Sequence, residues 1–325
     1  MVGRPDSRVP PAGARRPAPG AGRGADEVTG RPVMSMRRSE SQYGDRADIA
    51  ARARIGVVPI IWNNADLGDL GPPVPPGTVL DEIARLGYAG TQFGVGFPNG
   101  DQLAALLAAR GLRLAELYVS LPCDRSGPRP AAAELGSAAL RDLDAAGGEI
   151  LVVALEQTPD RDQRVGRAHD APTLTDDGWR GLGALLDRLG AQTAELGRTL
   201  AFHNHAATYV ETPAELDRLM EATSPTRVGL CLDVGHATLG GGDPVSIIQR
   251  HGNRLAHVHL KDVAAEPLRA LREGELTGFE AALHDGWLMV EQDTSWEPPS
   301  EAAAIGRSVL EAMLRWPADG KGRRS

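Results

Sequence analysis

Cysteine is scarce in this chain, and long apolar runs are absent. Only two of the 325 residues are cysteine, Cys123 and Cys231, which is too few for a disulfide framework or for a metal site built of thiolates alone. We expect both to be buried, reduced and inert, as in a reducing cytoplasm. No stretch approaches the roughly 18 consecutive apolar residues of a membrane span, so we expect no membrane partner.

Basic charge is concentrated at the N-terminus and scarce elsewhere. The formal net charge is −8, and residues 1–54 carry eleven arginines against six acidic residues, about +5, which leaves about −13 for the rest. An acidic body argues against binding of nucleic-acid phosphates as the main task. It is more consistent with a small polar substrate held beside a local cation site.

The N-terminal segment also differs in composition from the rest. Residues 1–52 are rich in Pro, Gly, Arg and Ala, with no apolar periodicity and no apolar core of a secretory signal. We predict a disordered extension there, or the product of a translation start upstream of Met34 or Met36. An Arg-rich targeting peptide is a weaker alternative, because acidic residues interrupt it. The predicted organisation continues with a catalytic domain over residues 53–316 and a C-terminal tail over 317–325.

From Arg54 onward, short β-branched or apolar runs alternate with amphipathic Ala- and Leu-rich runs. The predicted strands are Ile55–Pro59, Gly90–Gly94, Arg113–Val119, Glu149–Leu155, Thr199–His203, Val228–Asp233, Leu255–Leu260 and Trp287–Gln292. The clearest predicted helices are Val79–Leu86, Gln102–Arg110, Glu134–Ala146, Trp179–Leu196 and Pro213–Ala222. Eight strands separated by helices over about 260 residues predict an α/β fold, a closed (β/α)8 TIM barrel.

Polar side chains lie at the carboxyl ends of these predicted strands, where barrel enzymes keep their chemistry. Glu156 follows the fourth strand, Asp233 ends the sixth, and His259 and Glu291 lie at the ends of the seventh and eighth. Alternate residues of a strand face one side, so these four can meet above the apolar layers. Without a cation they would repel one another and be costly to desolvate. We therefore predict that they bind a divalent metal, with N and O ligands suited to Mn²⁺, Co²⁺ or Mg²⁺.

Further polar residues near the same strand ends are candidates for substrate contact. His205 follows the fifth strand and could act as acid or base. His236, one turn beyond the sixth strand, could bind a substrate oxygen or could instead orient the glycine-rich loop at 240–242. Lys261 could stabilise a developing enolate or could be an ordinary solvated lysine. His257, one layer below the seventh-strand ligand, is expected to support it or to pack.

At these residues the chain resembles the sugar phosphate isomerase/epimerase superfamily, the xylose-isomerase-like TIM barrels, and within it the inosose dehydratase branch. The resemblance extends from about Ile55 to Asp293. Its most specific motifs are Pro59–Asn64, Gly90–Gly94, Tyr209–Pro213, Leu216–Met220, Gly229–His236, His257–Asp262 and Gly286–Asp293. The Trp62-Asn63-Asn64 opening and the last two motifs favour the dehydratase branch.

The resemblance implies an Mn²⁺- or Co²⁺-dependent dehydration of inosose (2-keto-myo-inositol), or of a related keto-cyclitol, in inositol catabolism. It implies that the metal-bound Glu156 and Glu291 transfer protons by way of an enediolate, and that His205 or His236 is the acid for the leaving hydroxyl. Trp62, Asn63 and Asn64 are then expected beside a small polyhydroxy ketone, together with His205, His236 and Lys261.

Three alternatives stay open at this point. The nearest is an isomerase or epimerase of a free keto sugar or hydroxypyruvate, which would use the same metal but return the proton instead of expelling hydroxide. An abasic-site endonuclease of the endonuclease IV type needs more metal ligands and a basic face, and it is disfavoured by the acidic body. A ligand-binding barrel without activity is the non-enzymatic alternative. Homo-oligomerisation is left open by the sequence.

Overall fold

The computed structural model describes residues 54–64, 72–261, 263, 265–273 and 298–315. Its centre is a parallel sheet of seven strands, whose order in space is their order in the chain. The strands are β1 Gly56–Val57, β2 Gly90–Gln92, β3 Arg113–Leu121, β4 Ile150–Leu155, β5 Thr199–His203, β6 Gly229–Asp233 and β7 Leu255–His259. The predicted eighth strand, the N-terminal extension and the C-terminal tail lie outside the described residues.

Helices connect the strands, as the βα alternation in the sequence predicts. They are α1 Pro76–Arg85, α2 Gly100–Ala108, α3 Ala132–Ala145, α4 Asp176–Glu195, α5 Pro213–Ala222, α6 Val234–Leu239, α7 Pro244–His251, α8 Ala265–Glu273 and α9 Pro299–Arg315. A short antiparallel hairpin of Cys123–Asp124 and Gly127–Pro128 follows β3. None of the helices in the described ranges is long and apolar enough to cross a membrane.

The predicted element boundaries agree best where a cap or turn residue marks them. β5 and α5 have the predicted bounds. At the start of α5, the Thr212 hydroxyl accepts from the backbone N–H of Glu215, and the Glu215 carboxylate accepts from that of Thr212, which is a complete capping box. The short helix α6 was not predicted, because its six residues continue directly from β6 without a separate apolar period.

Side-chain alternation separates the two faces of the sheet. On β4, Leu151, Val153 and Leu155 belong to the large apolar core shared with the helices. The residues between them face inward, where Val152 packs with Ala201 of β5 and Cys231 of β6 in a separate small cluster. Because strand residues alternate between faces, the inward row changes from small apolar residues to polar ones toward the strand ends.

The sheet curves so that non-neighbouring strands face each other across its interior. His259 of β7 lies 3.0 Å from Glu116 of β3, although three strands separate β3 from β7 in the sheet order. Residues of β1, β2, β3 and β7 also line a common cavity of about 610 Å³. This curvature brings the inward polar side chains of β3, β5, β6 and β7 together.

The long helix α4 packs against the chain that precedes β6 through two glycines. A Cβ at Gly183 would lie 2.4 Å from the carbonyl oxygen of Ala222, and one at Gly190 would lie 2.3 Å from that of Arg227. These contacts are with backbone atoms, which cannot rotate away. The close approach sets the position of α4 against the turn that leads into β6.

We expect Gly190→Ala to lower the free energy of unfolding by about 2–3 kcal/mol, because the new methyl group would force backbone apart. Gly181→Ala on the same helix is the matched control, since its Cβ would meet only Pro128 Cδ at 3.6 Å. That change should stabilise the protein by up to about 1 kcal/mol through helix propensity. Urea unfolding of both variants measures the difference, and equal effects would contradict the close packing.

Candidate active site

Asp233 lies at the centre of the polar cluster and is fully buried. It ends β6 and caps α6, where its Oδ1 accepts from the backbone N–H of His236 at 2.7 Å. Its backbone is held by Asn204, whose side-chain amide pairs with the Asp233 N–H at 3.0 Å and with its carbonyl at 3.1 Å. The position of this carboxylate is therefore fixed by a helix start and by the neighbouring strand end.

The other oxygen of Asp233, Oδ2, faces three nitrogen atoms without a hydrogen bond to any of them. His203 Nε2 is 3.5 Å away, Lys261 Nζ 3.8 Å and His259 Nδ1 3.9 Å. Within the described part of the chain, Oδ2 is a buried oxygen with no hydrogen-bond donor. His203, Asp233 and His259 each offer one ligand atom within 4.8 Å of the others. A buried carboxylate oxygen beside two imidazoles fits a divalent cation.

Glu116 lies on the side of the His259 ring opposite Asp233. Both Glu116 oxygens lie 3.0 Å from His259 Nε2, and Oε2 also lies 3.0 Å from His257 Nε2. Burial opposes ionisation of Glu116, but the charges and hydrogen bonds of His259 and His257 outweigh it and lower its pKa to about 2. An ionised Glu116 favours the proton of His259 on Nε2, which leaves Nδ1 with a lone pair that faces His203 Nε2 at 3.1 Å and Asp233 Oδ2 at 3.9 Å.

The rings of His205 and His236 lie against each other beside the cluster, and both are neutral. Their ring centroids are 3.8 Å apart. Burial lowers the pKa of His205 to about 4, and the neighbouring His203 and Lys261 act in the same direction. Burial likewise holds the pKa of His236 well below its ordinary value, with His205 and Lys261 adding to the effect. Lys261 Nζ lies 3.3 Å from His236 Nε2, so the two substrate-contact candidates are joined.

Lys261 is unusual in this chain because arginine supplies almost all other basic residues. Of 35 lysines and arginines, only Lys261 and Lys321 are lysines. Lys261 is buried, and its stem packs against Gly235, where an added Cβ would lie 2.4 Å from Lys261 Cβ. A compact ammonium group suits this confined position better than a planar guanidinium would. The solvated-lysine interpretation from the sequence does not fit this burial.

The structure brings Asp233, His259, His236, Lys261 and His205 together. Glu156 follows β4 and is half-buried, and its carboxylate belongs to neither of the ligand groups within the described residues. Glu291 lies outside the described residues. Both stay predictions as metal ligands and as proton-transfer groups.

Trp62 and Asn63, two of the substrate-contact candidates that follow β1, hydrogen-bond to other parts of the chain. The buried Trp62 donates its indole N–H to Glu82 Oε2 at 2.6 Å. The Asn63 side chain pairs with the backbone of Val74 in both directions, at 2.8 Å and 2.7 Å. These bonds shape the chain after β1, and the predicted substrate contacts of Trp62, Asn63 and Asn64 stay predictions.

Sequence reasoning missed Glu116 as a member of the cluster. Its signal was a single acidic residue inside an apolar strand, at the inward parity shared with Tyr118. His203 ends the predicted fifth strand, but its place beside Asp233 depends on the curvature of the sheet. His257 contacts Glu116 from the layer below, at 3.0 Å between Nε2 and Oε2, a contact that the sequence did not predict.

A buried ion network fixes the loop that carries His205. Arg161, from the segment after β4, makes two 2.8 Å bonds to Glu215 and lies 3.8 Å from Glu211. Glu211 in turn accepts from the backbone N–H of Ala207 at 2.9 Å, where the chain has a positive φ of 63°. Burial raises the pKa of Glu211 to about 7, against the opposing charge of Arg161 and with added repulsion from Glu215.

A curved parallel sheet with a carboxylate–histidine cluster at its strand ends defines a barrel with a candidate cation site. The family model of the xylose isomerase-like TIM barrel matches residues 80–313. The chain belongs to this family, which confirms the TIM-barrel fold predicted from the sequence.

Several curated proteins resemble the chain over most of its length. The inosose dehydratase of Geobacillus kaustophilus is 38% identical, with 80% of this chain and 94% of that protein covered. The rhizopine catabolism protein MocC of Rhizobium meliloti is 36% identical, with 86% and 93% covered. The inosose dehydratase of Lacticaseibacillus casei is 32% identical, with 81% and 98% covered.

Solved structures with low identity share the fold. An L-ribulose 3-epimerase superposes with a TM-score of 0.61 at 16% identity, covering 84% of this chain and 99% of that one. The probable 3-DHS dehydratase AsbF of Bacillus anthracis gives 0.55 at 11% identity, covering 82% and 100%. At these identities the likeness concerns the fold alone.

We expect Glu211→Gln to flatten the pH dependence of stability. The folded-state pKa of about 7 lies above the ordinary value of 4.5, so the folded protein binds more protons than the unfolded chain between these values. The free energy of unfolding of the wild type should therefore fall as pH rises through this window, by on the order of 3 kcal/mol. The free energy of unfolding of Glu211→Gln should not fall in this way, because glutamine does not bind or release a proton in this window.

Urea unfolding at several pH values from about 4.5 to above 7 measures the effect. Glu221→Gln, an exposed glutamate of α5, is the matched control and should follow the wild type. Parallel pH profiles for the wild type and Glu211→Gln would show that Glu211 does not titrate in this window.

Proposed function

We propose that the chain is a divalent-cation-dependent hydro-lyase that removes water from inosose or a related keto-cyclitol in inositol catabolism. The observation that carries the proposal is the buried Asp233–His259 pair with its unsatisfied carboxylate oxygen, in a chain 38% identical to a protein named inosose dehydratase. The acidic composition supports a small polar substrate over nucleic acid, and the scarcity of cysteine fits a reducing cytoplasm. The lack of a long apolar run supports the absence of a membrane partner.

The residues present fit a cation of the Mn²⁺ or Co²⁺ type, with Mg²⁺ as a third candidate. Asp233 Oδ2 and His259 Nδ1 would hold it, and Glu156 and Glu291 would complete a set of oxygen and nitrogen ligands. His203 Nε2 lies 3.1 Å from His259 Nδ1 and would be a further contact for the cation. When bound, the cation polarises a ketone and an adjacent hydroxyl, which makes the hydrogen on the intervening carbon more acidic.

Different residues of the chain then carry out the two proton transfers. Glu156 or Glu291 takes the proton from the carbon next to the ketone, which gives an enediolate. His205 or His236 donates a proton to the β-hydroxyl so that it leaves as water. Lys261, 3.3 Å from His236, supplies positive charge beside the developing enediolate and can return a proton to that histidine.

Glu116 has a positioning role in this scheme. By accepting from Nε2 of His259, it fixes the ring and leaves the Nδ1 lone pair facing His203 and Asp233. A carboxylate behind a metal-bound histidine raises the basicity of the ligand and holds its tautomer. Trp62, Asn63 and Asn64 are proposed to close the substrate side of the site from the chain after β1.

An isomerase or epimerase of a keto sugar is the second candidate. It would share the cation and the enediolate but would return the proton to carbon. Lys261 beside His236 favours the lyase, because its ammonium group can supply, by way of that histidine, the proton that a leaving hydroxyl needs.

Incubation of the purified protein with Mn²⁺ and inosose should give an ultraviolet-absorbing dione with loss of one water. Absorbance and mass spectrometry follow the product. An epimer of unchanged mass would instead establish the isomerase alternative. No change of inosose, with the cation bound in stoichiometric amount, would contradict both.

We expect Asp233→Asn to lower kcat/KM more than about 100-fold and to reduce the bound Mn²⁺ after dialysis, because an amide is a poor ligand for a hard cation. Glu291→Gln should act in the same way, which tests the predicted ligand beyond the described residues. Asp101→Asn, an exposed residue of α2, is the matched control for loss of one carboxylate. Full Mn²⁺ content and turnover in Asp233→Asn would remove Asp233 from the site.

A further inference from the structure

Cys231 lies directly beneath the cation site and has no role in the proposed reaction. It faces the barrel interior two residues before Asp233, and it is fully buried. In the sheet register it pairs with His257, while Asp233 pairs with His259. Its sulfur lies within 4.8 Å of a ring nitrogen of His259. The expectation from the sequence that this thiol is inert does not take this neighbourhood into account.

Three different kinds of ligand atom meet at this lower position. Glu116, Cys231 and His259 each offer one atom within 4.8 Å of the others, and all three residues are buried. The His259 nitrogen that faces Glu116 is Nε2, at 3.0 Å from both carboxylate oxygens. The lower group is therefore distinct from the upper one, which uses Nδ1 of the same ring beside His203 and Asp233.

The ligand chemistry of the two groups also differs. The upper group has no sulfur and suits the harder divalent ions. The lower group combines a thiol, an imidazole and a carboxylate, which suits Zn²⁺, Cd²⁺ or Co²⁺. In a tetrahedral zinc site with bonds of about 2.0–2.3 Å, neighbouring ligand atoms lie about 3.5 Å apart, so small side-chain movements would close the lower group around an ion.

We propose that Glu116, Cys231 and His259 form a second metal site, selective for thiophilic divalent ions, that competes with the upper cation site for His259. Binding breaks the S–H bond of Cys231, forms a sulfur–metal bond and releases the proton to solvent. A neutral imidazole has only one nitrogen lone pair, so an ion on Nε2 leaves the proton on Nδ1. The upper site then loses its histidine ligand, and the two ions exclude each other.

Titration of the metal-free protein with Co²⁺ tests the site through the near-ultraviolet charge-transfer band that a thiolate–cobalt bond gives. We expect the wild type to show this band and Zn²⁺ to remove it. Asp233→Asn, which disables only the upper site, should keep the band. Cys123→Ala, at the other buried cysteine, should keep it as well. Cys231→Ala and Cys231→Ser should lose it.

If a Cys231 variant does not fold, the wild type and Cys123→Ala together decide the question, because a band kept without Cys123 can come only from Cys231. Stoichiometric cobalt with no thiolate band, or a band that survives in a folded Cys231→Ala, would overturn the proposal. A band lost in Cys123→Ala would place the sulfur elsewhere and would overturn it too. These readouts need no turnover, so they are independent of the proposed reaction.

A second measurement tests the competition. Zn²⁺ added to the Mn²⁺-loaded wild type should release Mn²⁺, measured by the electron paramagnetic resonance signal of the free ion. Cys231→Ala should need at least about 10-fold more Zn²⁺ for the same release, if the sulfur contributes about 1.4 kcal/mol or more to zinc binding. Equal zinc requirements in both proteins would overturn the competition.

Discussion

The buried carboxylate of Asp233 is the constraint on which the site depends. One oxygen caps α6, and the other is surrounded by nitrogen atoms too distant for hydrogen bonds. A carboxylate with no exposed surface requires compensating positive charge, and here that charge comes from Lys261, from the imidazoles or from a bound cation. Because a strand end, a helix start and the Asn204 amide all hold Asp233, it is a fixed point for the surrounding groups.

His259 links this fixed point to the rest of the barrel interior. One ring nitrogen faces Asp233 and His203, and the other faces Glu116 on the far side of the curved sheet. Its tautomer therefore decides which of two ligand groups is complete. The Arg161 network fixes the loop that carries His205. The glycine contacts of α4 fix the turn that enters β6.

Much of the fold could be predicted from the sequence because its signals are local. The bounds of β5 and α5 follow from apolar alternation and from the Thr212 capping box. The carboxyl-end placement of Asp233, His259 and Lys261 follows from strand parity. Glu116 left only a parity signal within its own strand, because its partner lies 143 positions away and sheet curvature brings the two together. The burial of Lys261 also depends on a contact with Gly235 that no local pattern predicts.

Two groups of potential ligand atoms share one histidine, His259. Carboxylate and imidazole groups lie above, and a thiol lies one layer below. The most direct measurement of the central claim is anomalous X-ray diffraction from crystals of the Mn²⁺-loaded protein. We predict a manganese peak within about 2–2.5 Å of Asp233 Oδ2 and His259 Nδ1. A manganese peak that touches neither of these atoms would contradict the account.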